Sequence, residues 1–302
     1  MAITTILAGC DLSVPSDAAL DRAIAIAELH KAKVVLVHAQ ATDAPIAEVD
    51  NAMLAQLGEV SAAVRTEEAR QLADRMARIE ARGLEVQLVS RVGAPDEVLA
   101  AAALEHGAQL IVVGTHGHTG IARFLLGSVA SSTIRHAPCD VLVVRGTGTG
   151  AYERPLVATD FLPSTVKVVT TTAAVCVANA PIEVLHAWQL PTGSWGATLL
   201  GQARFPWSTV RDAVLTGAQT QADKLVAELA HLGNPVVAQL EQGPPAHVIT
   251  EAAEKHGHDL IVVGAHGHRG VRRLLLGSVA ESIARHSPCS VLVVHAPVET
   301  SQ

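Results

Sequence analysis

Aromatic side chains are scarce: three Trp, three Phe and one Tyr in 302 residues. The core must therefore be aliphatic, drawn from the Ala, Val and Leu that dominate the chain. Cysteine is also rare. Cys10, Cys139, Cys176 and Cys289 form no C-x-x-C pair. That excludes a disulfide frame and reads instead as buried thiols in a reducing compartment. Positive charge is in deficit, with 22 Lys and Arg against 29 Asp and Glu, a net charge of −7. With no basic run either, a nucleic-acid surface is excluded. Long apolar runs are missing. The uncharged stretch from Val168 to Ile182 carries three Thr, an Asn and a Pro, too short and too polar to span a bilayer. Met1 to Cys10 shows no basic start followed by a long apolar region, so no secretory signal is expected and the cytoplasm is the default location. Fifteen histidines make the charge sensitive to pH near neutrality.

Residues 110–145 are the most informative stretch. Leu110 to Val113 is an apolar β-branched run of the kind found in fully buried strands. Gly114 ends it, and a loop follows with Gly117 and Gly120. Gly127-Ser128 then opens a helical pattern that stops near Pro138, and Val141 to Val144 is a second buried strand. Strand, glycine loop, Gly-Ser and helix form a phosphate-binding arrangement. Glycines let the backbone approach an anion, and free N–H groups at the helix start point at it. The stretch recurs at residues 260–295 with about two thirds of its positions identical. Gly114 maps on Gly264, Gly117 on Gly267, Gly127 on Gly277 and Ser128 on Ser278. This duplication makes two domains the firm reading, 1–146 and 153–298, joined by the flexible GTGTG connector at 146–150.

Read in order, Ile3 to Ala8 is a strand and Gly9-Cys10-Asp11-Leu12-Ser13 its carboxyl-end loop. Ser16 is the expected N-cap of a helix to His30. A strand at Lys33 to His38 precedes a long helical region from Ile46 to Arg82, which Gly58 would bend and Gly83 would end. Leu84 to Ser90 is a third strand with alternation, and Ala94-Pro95 opens a helix to His106-Gly107. The second half repeats the plan. It has a strand at Arg154 to Thr159, a helix to Asn179, and a strand at Ile182 to Ala187. A helix at Ser208 to Leu232, a strand at Val236 to Glu241 and a helix at Pro245 to His256 follow. Pro191 to Trp207, with two tryptophans, has no counterpart in the first half and reads as a lid or a docking patch. Alternating strands and helices imply a parallel sheet covered on both faces. Ligands then sit beyond the carboxyl ends of the strands, where the winding reverses. Two loops qualify, one with Asp11 (Asp160 in the second half) and one with the glycines.

These residues resemble a tandem universal stress protein of the ATP-binding type. Gly114-x2-Gly117-x9-Gly127-Ser128 and Gly264-x2-Gly267-x9-Gly277-Ser278 both match that family's Gly-x2-Gly-x9-Gly-Ser/Thr pattern without a gap. The Asp after strand one, the His38-Ala39 and His186-Ala187 ends of strand two, and the His-x-Pro-Cys-x-Val-Leu-Val-Val endings match as well. The resemblance covers essentially the whole chain. It implies an α/β fold, two doubly wound five-stranded sheets of order 3-2-1-4-5, of the adenine nucleotide alpha hydrolase-like kind. It implies ATP across strands one and four, with Mg²⁺ accompanying the phosphates. Gly9, Asp11 and Asp160 would lie near the adenosine, and the backbones of Ala39 and Ala187 beside the base. Gly114, Thr115, His116, Gly117 and His118 would wrap ribose and phosphates, as would Gly264, Ala265, His266, Gly267 and His268. Gly127, Ser128 and Val129, with Gly277, Ser278 and Val279, would hold phosphate oxygens. Domains would pair through their last strands, within one chain or in a homodimer, hiding hydrophobic edges. The departures are Gly9 and Ala158, where many members have Pro.

Plainer readings compete with these. The glycines could be turn makers only, the two Asp residues caps, and Ser128 and Ser278 plain N-caps. His116-Gly-His118 and His266-Gly-His268, with His136 near Cys139 and His286 near Cys289, raise a metal site. Zinc wants about four tetrahedral ligands, Cys139 reads as core, and His136 suits a helix C-terminus, so no metal is assigned. No Gly-Lys-Ser/Thr is present, so this is not a P-loop. No residue reads as an activated nucleophile, so no catalytic residue is named and at most slow ATP hydrolysis is expected. The function that follows is a nucleotide-dependent stress or signalling module. The alternatives are a scaffold that binds no nucleotide and a slow ATP-hydrolysing enzyme.

Overall fold

A computed structural model describes residues 2–40, 51–115, 126–190, 207–265 and 276–295. The chain divides into two compact units between Gly150 and Ala151. In the first unit the elements are β1 (Thr5–Gly9), α1 (Val14–His30), β2 (Lys33–Gln40), α2 (Asn51–Glu80), β3 (Val86–Val92), α3 (Pro95–Glu105), β4 (Leu110–Gly114), α4 (Ser128–His136) and β5 (Asp140–Val144). In the second they are β6 (Pro155–Ala158), α5 (Ser164–Val175), β7 (Ile182–Trp188), α6 (Trp207–Leu229), β8 (Val236–Gln242), α7 (Pro245–His256), β9 (Leu260–Gly264), α8 (Ser278–His286) and β10 (Ser290–Val294).

Within the first unit the strands run parallel in the order β3-β2-β1-β4-β5. The second unit repeats the order as β8-β7-β6-β9-β10, again parallel. Strand one therefore has strand two on one side and strand four on the other, so the winding reverses there. This is the expected α/β, doubly wound, 3-2-1-4-5 arrangement in each unit.

The central strands are apolar because both faces are covered. Ile6, Leu7, Leu36, Ile111 and Leu142 are fully buried in the first unit, as are Leu156, Leu185, Ile261 and Leu292 in the second. Each such side chain contributes about 1.5–3 kcal/mol relative to exposure. α1 lies across β1 and β4, and α3 packs on α4 and β2. At the edge, the alternation expected of β3 is weak. Only Val89 is buried there, and Val92 is 61% exposed.

Several boundaries differ from expectation. The N-cap of α1 is Ser13, whose Oγ accepts from Ser16 N at 3.4 Å; Ser16 lies inside the first turn and donates its own hydroxyl to Ser13 O at 2.8 Å. Pro15 fits the first turn, which needs no N–H from it, and so starts the helix earlier than the pattern shows. α2 runs through Gly58, where a Cβ would meet open space, so nothing there requires a bend. Gly83 ends the region with φ +71, as expected. α5 stops at Val175 rather than Asn179. Cys176 leaves the helix with extended backbone and forms a parallel bridge with Tyr152. After α6 the chain tightens into a 3₁₀ turn, Ala230–Leu232, closed by Gly233 at φ +75. The segment 191–206 lies outside the described residues.

Among the described residues no helix is long and apolar enough to cross a membrane.

Candidate functional site

β1 and β4 are neighbours in register, Ala8 beside Val112. Their carboxyl ends therefore open side by side, and the two candidate loops leave from there. Gly9 fills a narrow place: a Cβ on it would stand 3.1 Å from Val113 Cγ1 and 3.3 Å from Leu99 Cδ2. Gly114 is tighter still, with a Cβ lying 2.8 Å from Pro15 O and 2.9 Å from the Pro15 carbonyl carbon. The requirement for glycine at 114 is thus the first turn of α1 pressing on the end of β4. That is a packing role, met by the fold itself.

The Asp loop is held by its own backbone. Cys10 N continues the ladder to Val37 O at 2.8 Å, and His38 Nδ1 donates to Cys10 O at 2.8 Å. Asp11 Oδ1 accepts from Ser13 N at 3.0 Å and from Ser13 Oγ at 2.5 Å, an Asx turn. Between them Leu12 takes φ +66, which costs a non-glycine residue about 1–2 kcal/mol. The second unit repeats this pattern. Thr159 N donates to Leu185 O at 3.0 Å, His186 Nδ1 to Thr159 O at 2.8 Å, and Leu162 N to Asp160 Oδ1 at 3.2 Å. Phe161 takes φ +58 and stacks obliquely on His186, ring centroids 4.7 Å apart. A left-handed residue at the same place in both units, beside the same Asp, marks a strained turn of the sort concentrated at functional sites. Neither sequence position announces it, because Leu and Phe are poor formers of that conformation.

The two turns are supported differently. In the first unit Arg75 of α2 grips Asp17 with Nε at 2.8 Å and a second nitrogen at 2.9 Å, and reaches Leu12 O at 3.4 Å. In the second, Thr159 Oγ1 accepts from Phe161 N and contacts Thr165 Oγ1, both at 2.9 Å. Sequence reasoning missed Ser13 and Arg75. Ser13 was legible as a cap candidate; Arg75 lies 58 residues from its partner and had no signal. Cys10 sits in this loop, 6% exposed. Burial pushes its thiol up, against smaller opposing effects of the Leu12 backbone, Arg75 and Ser16.

A backbone bond joins the described residues on either side of the glycine loop. Gly127 N donates to Thr115 O at 2.8 Å, and Gly277 N to Ala265 O at 2.9 Å. In each unit this bond returns the chain to the carboxyl end of strand four and sets down a helix there. Gly127 and Gly277 are the N-caps of α4 and α8, and neither supplies a side-chain cap. Ser128 and Ser278 are therefore the first helical residues rather than caps, correcting that reading. The first intrahelical bonds come from Ser131 N and Glu281 N. Ser128, Val129, Ser278 and Val279 are exposed at this end, Val129 by 37% and Val279 by 36%. An uncapped helix start with its dipole is a ready anion site.

The structure thus brings Gly9, Asp11, Gly114, Thr115, Gly127, Ser128 and Val129 to one end of the first unit. Ala39 lies at the same end of β2, paired with Arg91. In the second unit Asp160, Gly264, Ala265, Gly277, Ser278 and Val279 gather likewise, with Ala187 on β7 paired to Glu241. His116, Gly117, His118, His266, Gly267 and His268 lie outside the described residues. His136 and His286 use Nδ1 within their own helices, near Ser132 Oγ at 3.2 Å and Ser282 O at 2.9 Å.

A family model, the universal stress protein family, matches residues 2–145 and again 151–295. A universal stress protein of Mycolicibacterium smegmatis is 30% identical over 301 residues, covering 96% of this chain and 96% of that protein. A universal stress protein A homolog of Coxiella burnetii is 32% identical over 147 residues, 47% of this chain and 96% of its own length. Among solved structures, a universal stress protein from Archaeoglobus fulgidus aligns with TM-score 0.62 at 21% identity, covering 96% of this chain and 98% of that one. The chain therefore belongs to the universal stress protein family and carries its domain twice.

Proposed function

We propose that each unit binds an adenine nucleotide, ATP with Mg²⁺, at the carboxyl end of its sheet, and that the protein acts as a nucleotide-dependent stress or signalling module. The observation that carries this reading is the backbone clamp from Gly127 N to Thr115 O, repeated from Gly277 N to Ala265 O. It seats an uncapped helix start at the point where the winding reverses. The described residues fit the group. Free N–H groups of α4 and α8 face the phosphate side, the Ser128 and Ser278 hydroxyls stand among them, and the Asp11 and Asp160 turns border the adenosine side. Mg²⁺ would neutralise the phosphates, keeping most of its ligands as water and phosphate oxygen. Asp11 and Asp160 each spend one carboxylate oxygen on their own turns, which holds the two carboxylates at the adenosine side of the proposed site.

Among the described residues the Asp11 and Asp160 turns carry no histidine or lysine placed as a general base, and at most slow hydrolysis is expected. Turnover of purified protein with Mg·ATP at several per second would contradict this and favour the enzyme reading. The binding itself is tested with the double variant Gly127→Val/Gly277→Val. Loss of ATP affinity with an unchanged fold supports the site, and retained affinity removes the helix starts from it.

A further inference from the structure

The second unit carries a cluster at the opposite, amino-terminal end of its strands. His258 lies two residues before β9, with a side chain only 5% exposed. Its Nδ1 stands 3.0 Å from Arg154 O. A carbonyl only accepts, so Nδ1 carries a hydrogen, and in the neutral ring Nε2 presents its lone pair. Nε2 points at Glu183 Oε2 from 3.4 Å, too far for a good N–H···O bond. His258 Nε2 and Glu183 Oε1 are both buried without a hydrogen-bond partner. In the neutral ring a lone pair faces a carboxylate, an arrangement satisfied by a positive charge between them, either a proton or a metal ion.

A third donor is at hand. His256 ends α7, and Gly257, at φ +65, turns the chain so that its ring approaches His258, centroids 6.1 Å apart. One ligand atom from each of Glu183, His256 and His258 lies within 4.8 Å of the others. Bonds of about 2.0–2.1 Å in a tetrahedral shell put donors roughly 3.3 Å apart, so the Glu183–His258 spacing already fits, and the His256 donor lies within 4.8 Å of both. The surroundings hold the donors in place. Asp259 accepts from Glu153 N at 2.8 Å and Arg154 N at 3.0 Å, fixing the carbonyl that orients His258. The Arg154 guanidinium is occupied on His256 O.

The first unit supplies a comparison. The offset between His38 and His186 places Val35 where Glu183 stands; that between Gly114 and Gly264 places Ala108 where His258 stands. Val35 is 0% and Ala108 8% exposed. The same fold therefore closes with an apolar pair there, and burying a carboxylate against an imidazole is costly unless something repays it.

We propose that Glu183, His256 and His258 form a binding site for one divalent transition-metal ion of the zinc class, with water as fourth ligand. Two imidazoles and a carboxylate suit Zn²⁺ or Co²⁺ and not Mg²⁺ or Ca²⁺. The ion ties the end of α7 to β7, roughly 15 Å from the nucleotide end at ~3.3 Å per strand residue. The site is independent of the nucleotide reading.

The test uses the full chain without a histidine tag, stripped with EDTA. Zn²⁺ is titrated against a chromophoric chelator, and Co²⁺ is followed by its ligand-field absorption. The expected result is an equivalent of ion with a tetrahedral Co²⁺ spectrum. Glu183→Val/His258→Ala, which copies the first unit, and the half-buried His256→Ala should each lose that equivalent or weaken it about tenfold or more. If the native chain takes up neither ion, the pair is a protonated His–Glu contact and the proposal fails. It fails equally if the variants keep the native stoichiometry and affinity, since the ions then sit on other histidines.

Discussion

A Cβ atom on Gly114 would stand 2.8 Å from the carbonyl oxygen of Pro15. The backbone of α1 thus occupies the space that any other residue at the end of β4 would need. Gly114→Ala should destabilise the first unit by about 1–3 kcal/mol, the usual cost of overpacking a close-packed place. Urea denaturation followed by circular dichroism measures it. An unchanged midpoint would show that the glycine serves a ligand and not the fold.

Ser13 caps α1, while the matching helix α5 begins behind Pro163 with no side-chain cap. Ser13→Ala should cost about 1 kcal/mol and also release Asp11 Oδ1 from its hydroxyl partner. The same substitution at Leu162, its counterpart by sequence, removes no cap. Chemical denaturation of both variants checks the difference, and equal losses would contradict the assignment.

Much of this was legible in the sequence, for a physical reason. Buried parallel strands are continuous apolar runs, so β4, β5, β9 and β10 stand out, and repetition fixes their order. Pro at a first turn and Gly after a last turn mark helix limits locally, as at Pro95 and Gly83. What was not legible depends on distant partners. Arg75 reaches Asp17 and Leu12 across the fold, and nothing near Arg75 tells of it. The positive φ of Leu12 and Phe161 runs against their own propensities and is imposed by the Asp turn and the helix that follows. The Glu183–His256–His258 cluster had a partial signal, a third His-Gly-His at 256–258. Its meaning rests on Glu183, which only strand pairing brings near. The apolar pattern starts after Ser16 and so points to Ser16 as the cap, whereas Pro15 allows the helix to start sooner, behind Ser13.

Burial pushes the thiols of both Cys10 and Cys176 above the ordinary 9.0, with Asp259 adding to the effect at Cys176. The folded state therefore keeps these protons to higher pH than the unfolded chain. Their contribution to stability is complete below about pH 9 and is lost as pH rises from there through the folded values. The urea midpoint should fall between neutral pH and pH 10, and fall less in Cys10→Ala/Cys176→Ala. An identical pH slope in that variant would show that other groups govern the alkaline loss.

Gly127 and Gly277 sit at φ −64 and φ −61 with extended ψ, angles a β-branched residue adopts without strain. Gly127→Val/Gly277→Val should thus leave the urea midpoint within about 1 kcal/mol of native. It should abolish ATP binding, because the added methyls stand where phosphate must approach the backbone. Isothermal titration with Mg·ATP reads the loss.

The most direct measurement is the identity of the nucleotide released when freshly purified full chain is denatured, followed by titration of the stripped, refolded protein with Mg·ATP. The twin clamps at Thr115–Gly127 and Ala265–Gly277 predict an adenine nucleotide in the released fraction and saturable rebinding. No released nucleotide together with no saturable binding would contradict the account and leave a scaffold with the same fold.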